Sequence, residues 1–202
     1  DKPIIVVSSN QQAYEYNMEI KKRLNPGKAK NIVEMDSLMV VKNNYKHSLL
    51  NGDICSVKYI GNAYTEDVKM RIQGGEVVQS LRFRDITIYY NDSLSYSHDR
   101  KYKDCTKQIN VKILENLLYS KKTSLTSLEN RALYVMMKQK YKGCSSSEFK
   151  KNLREDLFWN ALQVKYGYAA TCHKCQGGEW GMIFIDFNSS FMNPNSQEYF
   201  KW

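Results

Sequence analysis

The sequence predicts an α/β domain that is discontinuous along the chain, interrupted first by a small β-barrel and then by a basic helical segment. Three observations carry this expectation. Apolar runs of the kind that form buried parallel strands stand near both ends, the pattern from residue 38 to 90 breaks into short β-prone runs, and a helical period follows from about residue 111. With 202 residues, 42% of them hydrophobic and 25% charged, the chain is globular in composition and long enough to bury a core without disulfide staples.

In chain order, Ile4, Ile5, Val6 and Val7 predict a buried strand, and Ser8, Ser9 and Asn10 a loop. Ala13, Tyr16, Ile20 and Leu24 then share one helical face, until Pro26 and Gly27 stop the helix. Residues 38–41, 54–60, 68–72, 77–83 and 86–90 are β-prone, and Asn51-Gly52-Asp53, Gly61-Asn62 and Gly74-Gly75 punctuate them at hairpin spacing. About five strands in some fifty residues are too few for a large sandwich, so residues 37–99 are expected to close into a small barrel. Val111, Leu114, Leu117 and Leu118 follow helical spacing, as do Leu128, Leu133, Val135 and Met136; the three serines before Glu148 predict a capped helix running through Phe158. These make residues 100–157 a helical insertion. Residues 162–170 and 182–187 predict strands on either side of a Gly-containing turn. Neither end piece could bury its strands alone, so residues 1–36 and 158–202 are assigned to one domain.

The net charge of +9 fits an anionic partner such as nucleic acid. Residues 100–156 hold 14 Lys and Arg against 6 Asp and Glu, while the rest of the chain holds 16 against 15. The surplus therefore belongs to the helical insertion, where a phosphate backbone would find several cations on one face. No run approaches the roughly 18 apolar residues of a membrane span, so no membrane partner is expected. Five cysteines, an odd number, and an opening Asp-Lys-Pro without a charged and apolar leader predict reduced thiols and a cytoplasmic location.

The densest polar stretch is Tyr168-Ala-Ala-Thr-Cys-His-Lys-Cys-Gln-Gly-Gly-Glu-Trp180, directly after an apolar strand. Cys172 and Cys175 form a single C-x-x-C pair; a structural zinc site wants four ligands, and a thioredoxin-like dithiol wants the pair at a helix start in the right α/β context. His173 could act as a base, but no G-x-S-x-G nucleophile elbow occurs. A loop that senses a ligand fits the spacing better. Thr171 at a strand end can bond a phosphate oxygen, Gly177 and Gly178 let backbone approach a ligand, and Gln176 and Glu179 offer hydrogen bonds to a nucleotide or its sugar.

This stretch, followed by the apolar residues 182–187, resembles motif V of superfamily 1 helicases of the RecD and Dda type, where the pattern runs Tyr-Ala-x-Thr-x-His-Lys-x-Gln-Gly-x-Glu. Residues 4–24, with Ser9-Asn10, Ala13 and Tyr16-Asn17, resemble the opening of that family's second RecA-like domain. Residues 38–60, with Met39-Val40-Val41-Lys42-Asn43-Asn44 and Leu50-Asn51-Gly52-Asp53, resemble its inserted SH3-like barrel. The resemblance implies that Thr171, His173 and Lys174 meet single-stranded DNA, and that Gln176, Gly177, Glu179 and Asn10 serve the nucleotide side. It also implies ATP and Mg2+ in the whole protein and the first RecA-like domain as a partner within the same polypeptide. Cys175 stands where the family commonly has Ser or Ala. The barrel of this family can contact DNA, and Tyr45, Tyr59 and Tyr64 lie in its expected loops and strands. No G-x-x-x-x-G-K-[ST] loop occurs in the 202 residues, and the chain stops about where the family's arginine motif would begin. The expectation is therefore a helicase fragment with no catalytic residue of its own and no ATPase activity alone. The competing expectation is a non-catalytic nucleic-acid or protein-binding module on a helicase-like fold.

Overall fold

The computed structural model describes residues 3–91, 106–178 and 180–186. The chain is mixed α/β and divides into two compact units, residues 1–31 with 166–202, and residues 32–165.

In the first unit, strand β1 (Ile4–Val7) lies between two parallel neighbours, β7 (Ala169–Thr171) and β8 (Ile183–Ile185). The register pairs Val7 with Thr171 and Val6 with Ile185, so all three strands end at one edge of the sheet. Helix α1 (Asn10–Leu24) follows β1 and starts where the Ser9 hydroxyl accepts the Gln12 amide, leaving Asn10 as its first residue. The helix is tied to β7 by Asn17, which is buried. Its side-chain oxygen accepts the amides of Tyr168 and Ala169, both at 2.9 Å, and its amide nitrogen donates to the Ala169 carbonyl at 2.7 Å.

The second unit is a closed barrel of β2 (Ser37–Val40), β3 (Ile54–Ile72), β4 (Gly75–Asn91), β5 (Thr106–Leu114) and β6 (Leu162–Tyr166). Two helices, α2 (Ser127–Lys140) and α3 (Ser146–Glu155), lie between β5 and β6 in sequence. Each starts with a reciprocal capping box, Thr126 with Glu129 and Ser145 with Glu148. The distal half of the β3–β4 hairpin buries Val68, Met70, Leu81 and Phe83 together with Leu117, Leu125, Ala132 and Leu133, so barrel and helices share one core. At roughly 1.5–3 kcal/mol for each large side chain removed from water, this shared cluster holds α2 to the hairpin.

Four expectations are corrected. The five short strands include four that fuse into the two long strands β3 and β4. Gly61-Asn62 does not turn the chain but forms an irregularity inside β3, between Ile60 and Ala63. A side chain at Gly61 would sit 3.1 Å from the Asp85 backbone oxygen, so close strand approach is what calls for glycine there. Residues 111–118 are not helical: Val111 and Ile113 lie in β5, and the chain tightens into a 3-10 turn at Glu115–Leu117. The helix that was to run through Phe158 ends at Glu155, because Asp156 takes an extended conformation and accepts the amides of Phe158 and Trp159. Residues 162–170 are two strands, and the first, β6, pairs in parallel with β5 through Ile113–Leu162 and Leu114–Gln163 and so belongs to the barrel. The basic helices and the barrel consequently lie in one unit, which ends at 165.

Candidate functional site

The parallel arrangement of β1, β7 and β8 brings the segments that follow them to the carboxyl edge of the sheet, the side on which open α/β sheets bind ligands. After β1 come Ser8, Ser9 and Asn10. Both serine hydroxyls donate to the Gln12 side-chain oxygen, at 2.9 and 3.2 Å, which fixes this turn and leaves Asn10 exposed.

After β7, Thr171 is buried in extended conformation and caps the single turn α4 (Cys172–Cys175) without a side-chain capping bond. The next residues present a mixed surface: His173 and Gln176 are exposed, and Lys174 is half-buried. Burial strips water from the Lys174 ammonium and pulls its pKa below the ordinary lysine value. Burial, with the neighbouring Cys172, pushes the Cys175 thiol up to about 11. Gly177 then reverses the chain at φ 78°, with open space where a side chain would be. Gly178 lies under the Trp180 ring, which a side chain there would strike.

After β8 comes Asp186, whose carboxylate accepts the Tyr16 hydroxyl at 3.0 Å. That hydrogen bond to an anion, with burial, raises the Tyr16 pKa. Neither Tyr16 nor Asp186 is among the residues proposed from sequence as site residues. Asp186 in particular carries no pattern that would mark it, because only the β1–β8 register brings it to this edge.

Of the sequence-predicted residues, the structure thus brings Asn10, Thr171, His173, Lys174, Gln176 and Gly177 to one edge of one sheet. Glu179 lies outside the described residues. Cys172 and Cys175 are free thiols, Cys172 exposed. Among the described residues, no group of three or more His, Cys, Asp or Glu is placed to hold a metal ion. Neither is any helix among them long and apolar enough to cross a membrane.

In the barrel, Tyr45 and Tyr59 are exposed, at 81% and 60%. Tyr64 is instead part of an internal network. Its hydroxyl donates to Asp85 at 2.7 Å, and the buried Lys112 ammonium donates to the same carboxylate at 2.5 Å while lying 4.0 Å from the Tyr64 ring centroid. Burial works against ionisation of Asp85, but Lys112 and Tyr64 outweigh it and hold the carboxyl below its usual range.

No family model matches the chain, and no curated protein matches it significantly.

Proposed function

We propose that the chain is the second RecA-like domain, with an SH3-like barrel insertion, of an ATP-dependent superfamily 1 DNA helicase of the RecD and Dda type. The observation that supports this reading most is the edge shared by β1 and β7: adjacent parallel strands, in register at Val7 and Thr171, each followed by a polar turn and a helix start. A motor domain needs such an edge, because one loop can face a strand of DNA while its neighbour faces a nucleotide.

In this reading Thr171, His173 and Lys174 hold the single strand. Thr171 offers a hydroxyl at a strand end, while the depressed pKa of Lys174 reflects a partly dry position in which a phosphate would restore the favourable surroundings of its charge. Gln176, Gly177 and Glu179 follow on the same loop and, with Asn10 after β1, take the nucleotide side. The residues present suit hydrogen bonds to a nucleotide but supply no phosphate cradle, since the sequence has no G-x-x-x-x-G-K-[ST] loop. ATP and Mg2+ would be held chiefly by the first RecA-like domain, their hydrolysis supplying the free energy for strand movement. This chain's contribution is to grip the strand and to couple that grip to the nucleotide through a loop only a few residues long.

Two measurements on the purified chain test the reading. ATP turnover is expected at background for both the wild type and a Thr171→Ala/Gln176→Ala double variant; turnover by the wild type clearly above the double variant refutes it. A fluorescent oligo(dT) is expected to bind in a salt-sensitive manner and more weakly to His173→Ala/Lys174→Ala. Unchanged binding by that variant would remove the assigned DNA-side role.

A further inference from the structure

The function proposed above makes no use of Cys172 and Cys175. They are the first and last residues of the single turn α4, directly after the parallel strand β7. Residues three apart on one helical turn have Cα atoms about 5 Å apart, inside the roughly 4.4–6.8 Å that a disulfide spans. Their Cβ atoms, about 5–6 Å apart on such a turn, must approach by ~1 Å or more, so the turn has to tighten slightly. Little opposes that movement. Thr171 makes no side-chain capping bond to the turn, and Gly177 beyond it, at φ 78°, has open space where a side chain would be.

The two thiols are placed unequally. Both are free, but Cys172 is exposed while Cys175 is half-buried. Burial and the neighbouring Cys172 push the Cys175 thiol up to about 11, so little of it is thiolate, the form that attacks a disulfide. Cys144, also exposed, belongs to the other compact unit, where its sulfur accepts from the Asn152 side chain at 3.7 Å.

We propose that Cys172 and Cys175 are an oxidisable dithiol, a modification site at which a low-molecular-weight disulfide such as glutathione disulfide installs a reversible intramolecular S–S bond. First, the Cys172 thiolate attacks one sulfur of glutathione disulfide. The reagent's S–S bond breaks, one glutathione leaves as its thiolate, and Cys172 keeps the other in a mixed disulfide. Next, Cys175 loses its proton and attacks the Cys172 sulfur; the second glutathione leaves and the Cys172–Cys175 bond forms. Two protein thiols are thereby oxidised by two electrons, one glutathione disulfide is reduced, and the two protons end on two glutathiones. The order follows from placement, because the exposed thiol meets the reagent and the half-buried one displaces it. The ring encloses His173 and Lys174 but uses neither side chain, so this chemistry does not rest on the function proposed above.

The test incubates the full chain with glutathione disulfide at pH 8, quenches with acid and digests without reductant. Trypsin cuts after Lys174, so the bond would join residues 166–174 to residues 175–201. In the wild type this linked pair is expected as the main product at the site, in monomeric protein, and to disappear in excess glutathione. Cys144 should instead keep its adduct. Cys175→Ser is expected to accumulate a lasting glutathione adduct on Cys172, and Cys172→Ser to be modified at Cys175 roughly tenfold more slowly. In denaturing urea, where burial is gone, the two single variants should react alike. A lasting adduct on Cys172 of the wild type overturns the inference, as does a linked pair found only in disulfide-bonded dimers. Equal rates for the two single variants in native buffer overturn the assigned order. The wild-type products decide the inference even where a variant fails to fold.

Discussion

Asn17 should be the residue on which the order of the DNA-side strand depends. It satisfies three backbone groups at the start of β7: two amides at 2.9 Å and one carbonyl at 2.7 Å, all from a buried position on α1. Leucine has nearly the same volume but no polar atoms, so Asn17→Leu removes the bonds while keeping the packing. Three neutral hydrogen bonds at about 1 kcal/mol each give about 3 kcal/mol, and leaving buried amides without partners adds up to about 2 kcal/mol more. Hydrogen exchange of the peptide spanning 164–171 reads this directly. Opening that is favoured by about 3 kcal/mol speeds exchange of the Tyr168 and Ala169 amides by roughly a hundredfold. Amides of β3 and β4, in the other compact unit, provide the internal reference and should be unchanged. Asn17→Asp sharpens the test. It keeps an acceptor for both amides but turns a carboxylate oxygen toward the Ala169 carbonyl, and burial raises the folded-state pKa of such a group. The folded variant then binds its proton more tightly than the unfolded chain, so stability should rise as the pH falls from 7 to 5. Exchange within twofold of wild type in Asn17→Leu would refute the reasoning.

Three further outcomes follow from the geometry. Asp156 accepts from Lys140, Tyr141 and the amides of Phe158 and Trp159, and these bonds overcome its burial to hold its pKa below the usual aspartate value. Its contribution is fully present above the unfolded pKa of about 3.9 and is lost as the pH falls through the lower folded value; Asp156→Asn should cost about 2–4 kcal/mol in urea melts at pH 7 and flatten the acid limb of the stability curve. Gly177→Ala meets no neighbour but places alanine at φ 78°, so urea melts should show a loss of about 1–2 kcal/mol without a change of fold. Iodoacetamide at pH 8, followed by peptide mass spectrometry, should label the exposed Cys144 and Cys172 well before Cys175. A thiol with a pKa of about 11 offers a thiolate fraction roughly a hundredfold smaller than an ordinary cysteine.

Much of the first unit was legible because its strands are short, apolar and bounded. Residues 4–7 have buried neighbours and a serine cap, and their reading survives to the residue. The barrel was legible as a barrel but not in its strands. Period and turn residues cannot distinguish a glycine that reverses the chain, as in the Gly74 turn between β3 and β4, from Gly61, which lets two strands approach within one. Strand β5 was misread for a related reason. Val111 and Leu114 are spaced as on a helix, but Leu114 ends a strand and Leu117 belongs to the 3-10 turn after it, so one apparent period spans two conformations. The closing strand β6 was out of reach of any local reading. It lies some fifty residues from its partner β5, and only pairing assigns it to the barrel rather than to the sheet that its neighbour β7 joins.

Charge is the quantity on which sequence and structure differ most. A count over residues 100–156 treats Lys112 and Lys150 as equal, yet Lys112 is spent on Asp85 and two aromatic rings inside the fold, and Lys140 on Asp156. A buried, hydrogen-bonded pair contributes little field outside, whereas an exposed cation retains its reach over about a Debye length, roughly 8–10 Å at physiological salt. The outward field of this stretch therefore depends less on its 14 cations than on which of them are paired within the fold. Among the described residues, Lys121, Lys122, Lys142, Lys150, Lys151 and Arg154 are exposed and make no ion pair, so they remain able to act on a polyanion. Neutralising one exposed residue among them, Lys150→Met, should weaken oligonucleotide binding more than Lys112→Met, which changes the net charge by the same amount, even though Lys112→Met damages the fold more: it strands Asp85 and Tyr64 and should be visible first in a urea melt. Equal weakening by Lys112→Met and Lys150→Met, with both proteins folded, would show that net charge rather than its placement governs the interaction.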